Sequence, residues 1–151
     1  MKKLLWCWHI HDTTLLEPLT EPLKNRIEYI KKNKPKDEIP LRLKLLKRVK
    51  GKLPKEIIEA RQKCYETRQK CIEMRQKYDY FEAWQKCYGA RQKYIKAWQK
   101  YGEAIQKHLP QLKALHQKEC GCGYDFEKNT IFTKENGLEK KTYIKPNSLK
   151  S

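Results

Sequence analysis

The sequence is poor in the apolar side chains that build a large protein interior. Hydrophobic residues make up 38% of its 151 residues, below the roughly 45–50% that is usual in globular domains. We therefore expect a thin, elongated molecule rather than one with a single large core. No run approaches the roughly 20 consecutive apolar residues that a membrane-spanning helix needs, so no membrane partner is predicted.

The beginning of the chain also lacks a full secretory signal. Lys2 and Lys3 precede an apolar stretch that covers only residues 4–8, whereas a signal core needs about 7–15 apolar residues. We therefore expect an intracellular, cytoplasmic protein. The six cysteines are then expected to stay reduced, because disulfides are rare in reducing compartments.

Short motifs of common enzymes are missing as well. The sequence contains no glycine-rich phosphate loop, nucleophile elbow, acidic metal cluster or His-Glu-x-x-His element, and each of these carries a recognisable chemistry. We therefore expect a protein that is not an enzyme.

Positive charge is present in excess. The chain carries 35 basic and 18 acidic residues, a formal net charge of +17. Residues 1–53 hold 14 basic and 6 acidic side chains, and residues 83–118 hold 8 and 1, so most of the excess lies in these two segments. Such a field attracts polyanions, which makes nucleic acid the first expected partner and an acidic protein surface the second.

A seven-residue phrase centred on Gln-Lys recurs between Leu53 and His116. Seven residues are close to two helical turns, so each copy falls on nearly the same side of a helix. The predicted fold class is therefore mainly α, with a long heptad-repeat helix over residues 53–118. The Gln-Lys pairs are Gln62-Lys63, Gln69-Lys70, Gln76-Lys77, Gln85-Lys86, Gln92-Lys93, Gln99-Lys100 and Gln106-Lys107.

Small and apolar residues of this segment alternate at spacings of four and three, as the a and d positions of a coiled coil do. The resulting seam is narrow, because most d positions of the second half hold alanine. Its members are Leu53, Ile57, Ala60, Cys64, Thr67, Cys71, Met74 and Tyr78 in the first half, and Ala83, Cys87, Ala90, Tyr94, Ala97, Tyr101, Ala104 and His108 in the second.

The two halves of the repeat are out of phase. Nine residues instead of seven separate Met74 from Ala83, which turns the second stripe by roughly 200° relative to the first at about 100° per residue. The chain therefore either continues as one straight or mildly kinked helix or folds back near residues 79–82. Because no glycine or proline occurs there, we favour the continuous helix, which would be about 85 Å long.

Basic and aromatic residues flank the seam. In the first half three e positions hold arginine and three g positions hold lysine, so a parallel dimer would place like charges face to face. In the second half two of the four e positions hold tryptophan. The e residues are Arg61, Arg68, Arg75, Trp84, Arg91, Trp98 and Ile105, and the g residues of the first half are Lys63, Lys70 and Lys77.

The second half combines these rings with exposed cations. Lys93 and Lys100 lack the glutamate four residues earlier that accompanies most other lysines of the repeat, because Gly89 and Lys96 occupy those positions. Rings can stack on bases while cations hold phosphates. The predicted residues for binding nucleic acid or another polyanion are Lys86, Arg91, Lys93, Lys96, Lys100, Trp84, Tyr88, Trp98 and Tyr101.

Two alternatives stay open for the repeat. The rings could form the core of a helical hairpin, because aromatic stripes at helical spacing are usually buried. The repeat could also act as a coiled-coil-like scaffold for protein interaction or assembly, which docks a partner or a second copy of the chain through the Ala/Cys/Tyr seam.

The N-terminal domain, residues 1–52, is predicted to pack on the repeat. Alternating aromatic and β-branched residues indicate a short strand over residues 4–11. Residues 21–32 and 40–49 are typical of two short helices, and the second carries several leucines.

The C-terminal domain, residues 119–151, is predicted to hold a cysteine–glycine turn and a small β-hairpin. Asn136-Gly137 is a strong turn signal, and residues 130–133 and 141–144 are the expected strands.

The sequence Cys120-Gly121-Cys122-Gly123 has the sharpest chemical signature of the chain. Its glycines let the backbone turn so that both sulfur atoms can face one ion. His116 stands four residues earlier, and a zinc site needs two more ligands beside the two sulfurs.

Histidines near the N-terminus can supply those ligands. We predict a structural zinc site made by His9, His11, Cys120 and Cys122, which requires the two ends of the chain to meet. The one-residue spacing of the cysteines is shorter than the usual two. A plain turn with buried thiols, or redox or disulfide chemistry of the thiols, therefore stays an alternative.

Overall fold

The structure is a computed structural model that describes residues 4–140. The described chain is 58% helical, with five helices and a small three-stranded antiparallel sheet. These residues form two compact units, one from residues 4–50 with 115–140 and the other from residues 51–114. The sequence divided the chain into three consecutive domains; in the structure the two end segments share one unit, which we call unit 1, and the repeat forms unit 2.

Unit 1 contains the sheet. Strand β1, Leu5–Trp8, lies between β2, Leu16–Leu19, and β3, Lys47–Arg48, and pairs antiparallel with both. β1 is the central strand because both of its faces are apolar, and Cys7 and Trp8 are fully buried. Pro18, which cannot donate to a ladder, lies in the edge strand β2.

Two short helices complete the first part of unit 1, as predicted. Helix α1 covers Leu23–Asn33 and helix α2 covers Ile39–Leu45. Ile30 of α1 packs in one hydrophobic cluster with Cys7 and Leu46. The large aliphatic side chains of this segment therefore supply most of the core of unit 1.

The other side of α2 packs on the C-terminal part of unit 1. Leu41 and Leu45 form a second hydrophobic cluster with Tyr124, Ile131 and Phe132. The N-terminal and C-terminal segments of the chain thus share a core, and α2 contributes to both clusters.

A buried ion network reinforces this arrangement. Arg42 Nη2 lies 2.7 Å from Glu38 Oε2 and 3.2 Å from Asp12 Oδ1, and Lys140 also bonds to Glu38. Burial by itself raises the pKa of Glu38, but hydrogen bonds from Lys140 and Arg42 outweigh it and hold that pKa below its ordinary value. The carboxylate therefore stays charged between its two cations.

The sheet lies near the N-terminus, and the predicted C-terminal hairpin is wrong in its first strand. Thr130 makes a single bridge to Asp125, and Ile131 and Phe132 enter the second cluster instead of a ladder. The Asn136-Gly137 turn does form, with Gly137 at φ +84°. The predicted second strand, residues 141–144, lies outside the described residues.

Unit 2 is a helical hairpin. Helix α3, Lys55–Lys77, and helix α4, Tyr80–Lys107, run antiparallel, because Lys107 at the end of α4 pairs with Glu56 at the start of α3, with Nζ and Oε2 3.0 Å apart. The favoured continuous helix is therefore wrong, and the alternative, a chain that folds back near residues 79–82, is the one observed.

The break between the two helices has a specific cause. Tyr78 is extended, at φ −117° and ψ 155°, and ends α3. Asp79 caps α4, because its Oδ1 accepts a hydrogen bond from the backbone N–H of Glu82 at 2.9 Å. An aspartate followed three residues later by a glutamate is a capping signature, so the break needs neither glycine nor proline.

The predicted seam faces the inside of this hairpin. None of its sixteen members is exposed, and the most buried are Leu53, Ile57, Cys64, Thr67, Ala83, Cys87, Ala97 and Ala104. The chain reversal brings the two out-of-phase stripes together, which a straight helix cannot do. Supercoiling of the pair stays a prediction.

Helix α5, Leu109–Glu119, follows α4 after His108. Pro110 lies in its first turn, where the missing N–H is tolerated, and the repeat helix ends before it. Within the described residues, none of the helices is both long enough and apolar enough to cross a bilayer.

The cap at the hairpin turn gives a direct test of unit 2. We expect Asp79→Ala to lower the free energy of unfolding by about 1 kcal/mol, because an N-cap carboxylate is lost. Asp79→Ser keeps a cap and should differ from the wild type by less than about 0.5 kcal/mol. Urea denaturation followed by far-ultraviolet circular dichroism measures both, and an alanine variant as stable as the serine variant would contradict the assignment.

Candidate metal centre and hairpin surface

His9 stands directly after β1 and is only 3% exposed. Its backbone adopts the left-handed region at φ 52°, which few residues other than glycine do. Its Nδ1 donates a hydrogen bond to the carbonyl oxygen of Thr14 at 3.2 Å. Because a carbonyl can only accept, the proton sits on Nδ1, and Nε2 keeps the lone pair that a metal ligand needs.

The end of α5 supplies the next two donors. His116 lies in the last turn of the helix and is 2% exposed, and Cys120 follows one turn later. The backbone N–H groups of Cys120 and Gly121 both donate to the carbonyl of His116, at 2.7 and 2.8 Å. Gly121 takes the left-handed conformation at φ +60° that ends many helices, and the chain turns back towards His116.

The turn also brings in Cys122. Its position depends on Gly123, because a Cβ atom there would lie 2.5 Å from the Cβ of Glu135. The side chain of Asn136 accepts a hydrogen bond from the Gly123 N–H at 2.6 Å and holds this close approach. The two glycines of the motif thus have different roles: Gly121 reverses the backbone after α5, and Gly123 leaves space for the side chain of Glu135.

Four side chains converge at one point in unit 1. The donor atoms of His9, His116, Cys120 and Cys122 all lie within 4.8 Å of one another. The two Nε2 atoms are 3.0 Å apart, and the sulfur of Cys122 lies 3.3 Å from Nε2 of His9 and 3.5 Å from Nε2 of His116. The cluster can hold a metal ion, because metal bonds of about 2.0–2.3 Å in a tetrahedron separate donors by about 3.3–3.8 Å.

The surroundings of the cluster favour a thiolate. The pKa of Cys120 lies below its ordinary value, chiefly because the Cys122 thiol donates a hydrogen bond to it, while burial acts in the other direction. The same hydrogen bond and burial raise the pKa of Cys122, while the backbone of Tyr124 and the side chain of Asn136 act in the other direction. The Cys120 sulfur is therefore the one that these surroundings favour as a thiolate, the form that ligates a metal.

Aromatic rings enclose the two histidines. The His116 ring meets the ring of Trp8 edge-on, with centroids 5.4 Å apart, and the His9 ring lies 5.1 Å from that of Tyr124. These contacts restrict the imidazole orientations and limit the access of water.

The structure replaces one predicted ligand. His9, Cys120 and Cys122 meet as predicted, but the fourth member is His116 rather than His11. The side chain of His11 is half-exposed, and its Nδ1 lies 2.8 Å from Oε1 of Glu17. A signal for His116 was present in the sequence, because residues four apart lie on the same side of a helix and His116 is four residues before Cys120.

Comparisons of the chain with known protein families, characterised proteins and solved structures found no match. The arguments on function therefore rest on the arrangement of the side chains.

The antiparallel hairpin determines which rows of the repeat stand side by side. Reversing one helix of a pair exchanges its two sides, so e positions face e positions and g positions face g positions. The Arg61 guanidinium, at e, lies 4.7 Å from the centroid of the Trp98 ring, also at e. The Glu56–Lys107 ion pair joins two g positions.

The g rows form a surface that we call the lysine flank. Moving from the Glu56–Lys107 pair towards the turn of the hairpin, the next three g positions of α3 hold lysine, and each stands opposite a lysine at a g position of α4. The ammonium groups of Lys77 and Lys86 lie 5.7 and 4.1 Å from the centroid of the same ring, that of Tyr78. The lysine flank consists of Lys63, Lys70, Lys77, Lys86, Lys93 and Lys100, all exposed.

The e rows form a second surface, the arginine–tryptophan flank. The Arg61–Trp98 contact fixes the register of the e rows. One heptad closer to the turn this register places Arg68 opposite Arg91, and two heptads closer it places Arg75 opposite Trp84. Trp84 is 70% exposed and Trp98 is 39% exposed. The arginine–tryptophan flank consists of Arg61, Arg68, Arg75, Trp84, Arg91 and Trp98.

The nine residues predicted to bind a polyanion therefore do not share one face. Helical geometry, at 100° per residue, puts Lys86, Lys93 and Lys100 on the lysine flank and Trp84, Arg91 and Trp98 on the opposite one. Of the other three, Tyr88 is exposed beside the tryptophans, Lys96 is exposed on the outer side of α4, and Tyr101 is partly buried against Trp98.

The ligand assignment can be tested by metal content. After purification with Zn²⁺ and removal of loosely held ions, we expect about one bound ion per chain, because the four donors are preorganised. His116→Ala should lower the content severalfold, whereas His11→Ala, the matched histidine, should leave it unchanged. Elemental analysis measures this ratio, and equal losses in the two variants would contradict the assignment.

Proposed function

We propose that unit 1 binds a structural zinc ion. Two sulfur and two imidazole donors suit Zn²⁺, whereas Mg²⁺ and Ca²⁺ prefer oxygen ligands. Four protein ligands would fill the coordination sphere, which is the pattern of structural rather than catalytic zinc. The observation that supports this proposal is the mutual approach of the four donors within 4.8 Å.

Such an ion would join distant parts of the chain. His9 belongs to the N-terminal segment, and the other three donors lie more than a hundred residues later. A metal that cross-links a small unit contributes its binding energy to folding. Its position just beyond the carboxyl end of α5 is also favourable, because that end of a helix dipole attracts a cation.

We further propose that the helical hairpin binds nucleic acid through its phosphates. The observation that carries this proposal is the lysine flank, where two rows of ammonium groups face each other. Like charges at this spacing weaken the hairpin, and a polyanion lying along the flank would neutralise both rows at once. Phosphates replacing small counterions on such a surface is the usual source of affinity for nucleic acid.

Among the described residues, no ion pair joins a carboxylate to a lysine of this flank, although Glu66, Glu73 and Glu82 stand four residues before Lys70, Lys77 and Lys86. Lys107, at the open end of the hairpin, is paired with Glu56. Glu59 turns to Lys55, 3.4 Å away, although Lys63 is also within its helical reach. The cationic surface therefore extends from the Lys63–Lys100 position towards the turn of the hairpin.

The alternative proposal, a scaffold that docks partners through the seam, has less support. The seam side chains are buried between α3 and α4, so a partner could reach them only if the hairpin opened. A partner that binds the outer surfaces of the hairpin does not meet this obstacle.

Charge-neutral variants test the lysine flank. We expect the triple variant K86Q/K93Q/K100Q to weaken binding to DNA and to lower the slope of log Kd against log salt by about 2–3, because each phosphate contact contributes about 0.7–0.9. Fluorescence anisotropy at several salt concentrations gives both quantities.

The matched control removes the same charge from α1. Lys24, Lys31 and Lys32 are exposed there, and K24Q/K31Q/K32Q should change the slope by less than about 1 if the hairpin is the main binding surface. Equal slopes for the two triple variants, or no binding of the wild type at low salt, would overturn the proposal.

A further inference from the structure

We propose that the arginine–tryptophan flank stacks unpaired bases, so that the protein prefers single-stranded nucleic acid to duplex. This inference rests on the proposed binding of nucleic acid by the hairpin, and it assigns a separate role to the arginine–tryptophan flank. The lysine flank would hold phosphates of either form, and only the opposite flank would distinguish them.

The first step is the exposure of large rings. Trp84 and Tyr88 are 70% and 66% exposed, and Phe81 is 70% exposed. These three residues are three and four positions apart, so they lie on one side of α4 in successive turns. Aromatic side chains contribute most when their faces are covered, and these faces are open to a flat partner.

The second step is the pairing of these rings with guanidinium groups. Arg61 lies over the ring of Trp98 at 4.7 Å and near that of Tyr101 at 5.7 Å. The register places Arg75 in the row opposite Trp84, and Arg91 lies between the two tryptophans on α4. The tryptophans of this flank therefore have guanidinium groups in neighbouring positions, which can take the phosphate of a base stacked on an open ring face.

Charge selects the occupant of this surface. A neutral apolar partner would have to desolvate four arginines, whereas a strand of nucleotides supplies a negative charge for each and a flat base for each ring. Duplex DNA offers its phosphates but not its base faces, which are stacked in the helix. Stacking on protein rings is the usual device of proteins that bind single strands without sequence preference.

The experiment compares three ligands that carry equal numbers of phosphates: oligothymidine, an abasic strand of the same length, and a duplex. We expect the wild type to bind oligothymidine about 5- to 100-fold more tightly than the abasic strand, since stacking contributes about 1–3 kcal/mol per base. W84A/Y88A should lose most of this difference and bind the abasic strand as the wild type does.

Two further variants separate stacking from a change in folding. W84F/Y88F keeps flat rings and should restore most of the affinity for oligothymidine. Y29A removes a partly exposed ring of α1, outside the hairpin, and should leave all three affinities unchanged within about twofold, given that changes distant from the binding surface are nearly neutral.

The outcomes distinguish this inference from the proposal on which it rests. Equal affinity of the wild type for all three ligands would overturn the stacking of bases and leave phosphate binding intact. Failure to bind any of the three at low salt would remove the proposed function itself.

Discussion

A shortage of large apolar side chains in a chain with a net charge of +17 is the constraint on which the rest of this structure depends. Burial of apolar surface is the main driving force of folding, and here neither unit has much of it. Unit 1 compensates with the Glu38–Arg42 ion network and with four metal-type donors that meet beside its second hydrophobic cluster. Unit 2 compensates with close packing of a seam rich in alanine and cysteine, which lets two long helices approach each other.

The same constraint shapes the surface. Two helices that bury only a narrow seam leave most of their side chains in solvent, and in this chain these are lysines, arginines and rings. The antiparallel pairing then sorts them by register: lysines face lysines on one flank, and on the other arginines face tryptophans, except that Arg68 stands opposite Arg91. A single helix would have spread these groups around its circumference. Charge repulsion along the lysine flank and open ring faces along the other are costs to the isolated protein, which is why we connect both with a bound partner.

Much of the fold could be predicted from local patterns. The spacing of four and three identified the buried face of α3 and α4, and Asn136-Gly137 marked a turn. The fold-back at Asp79 was harder, because a two-residue phase shift is compatible with both a straight helix and a hairpin, and an aspartate cap is a weaker signal than glycine. Residues 130–133 have strand-like composition, but the hydrogen bonds of Asn136 direct them into the core.

Three of the four members of the metal cluster were predicted from the sequence, and the fourth was not. Cys120 and Cys122 are close together in the chain, so their joint role was visible, and the choice of His9 was correct in placing the two ends of the chain together. Which second histidine joins them depends on the direction of α5 and on the left-handed backbone of His9, which the four-residue spacing from His116 to Cys120 does not determine on its own. Local geometry favoured His116, which lies one helical turn before Cys120, whereas the side chain of His11 pairs with Glu17.

X-ray absorption at the zinc edge of the purified full-length chain tests this account most directly. We expect two sulfur neighbours at about 2.3 Å and two nitrogen neighbours at about 2.0–2.1 Å, with the nitrogen shell altered in His116→Ala and unchanged in His11→Ala. A shell of oxygen and nitrogen alone, or one that does not respond to His116→Ala, would contradict it.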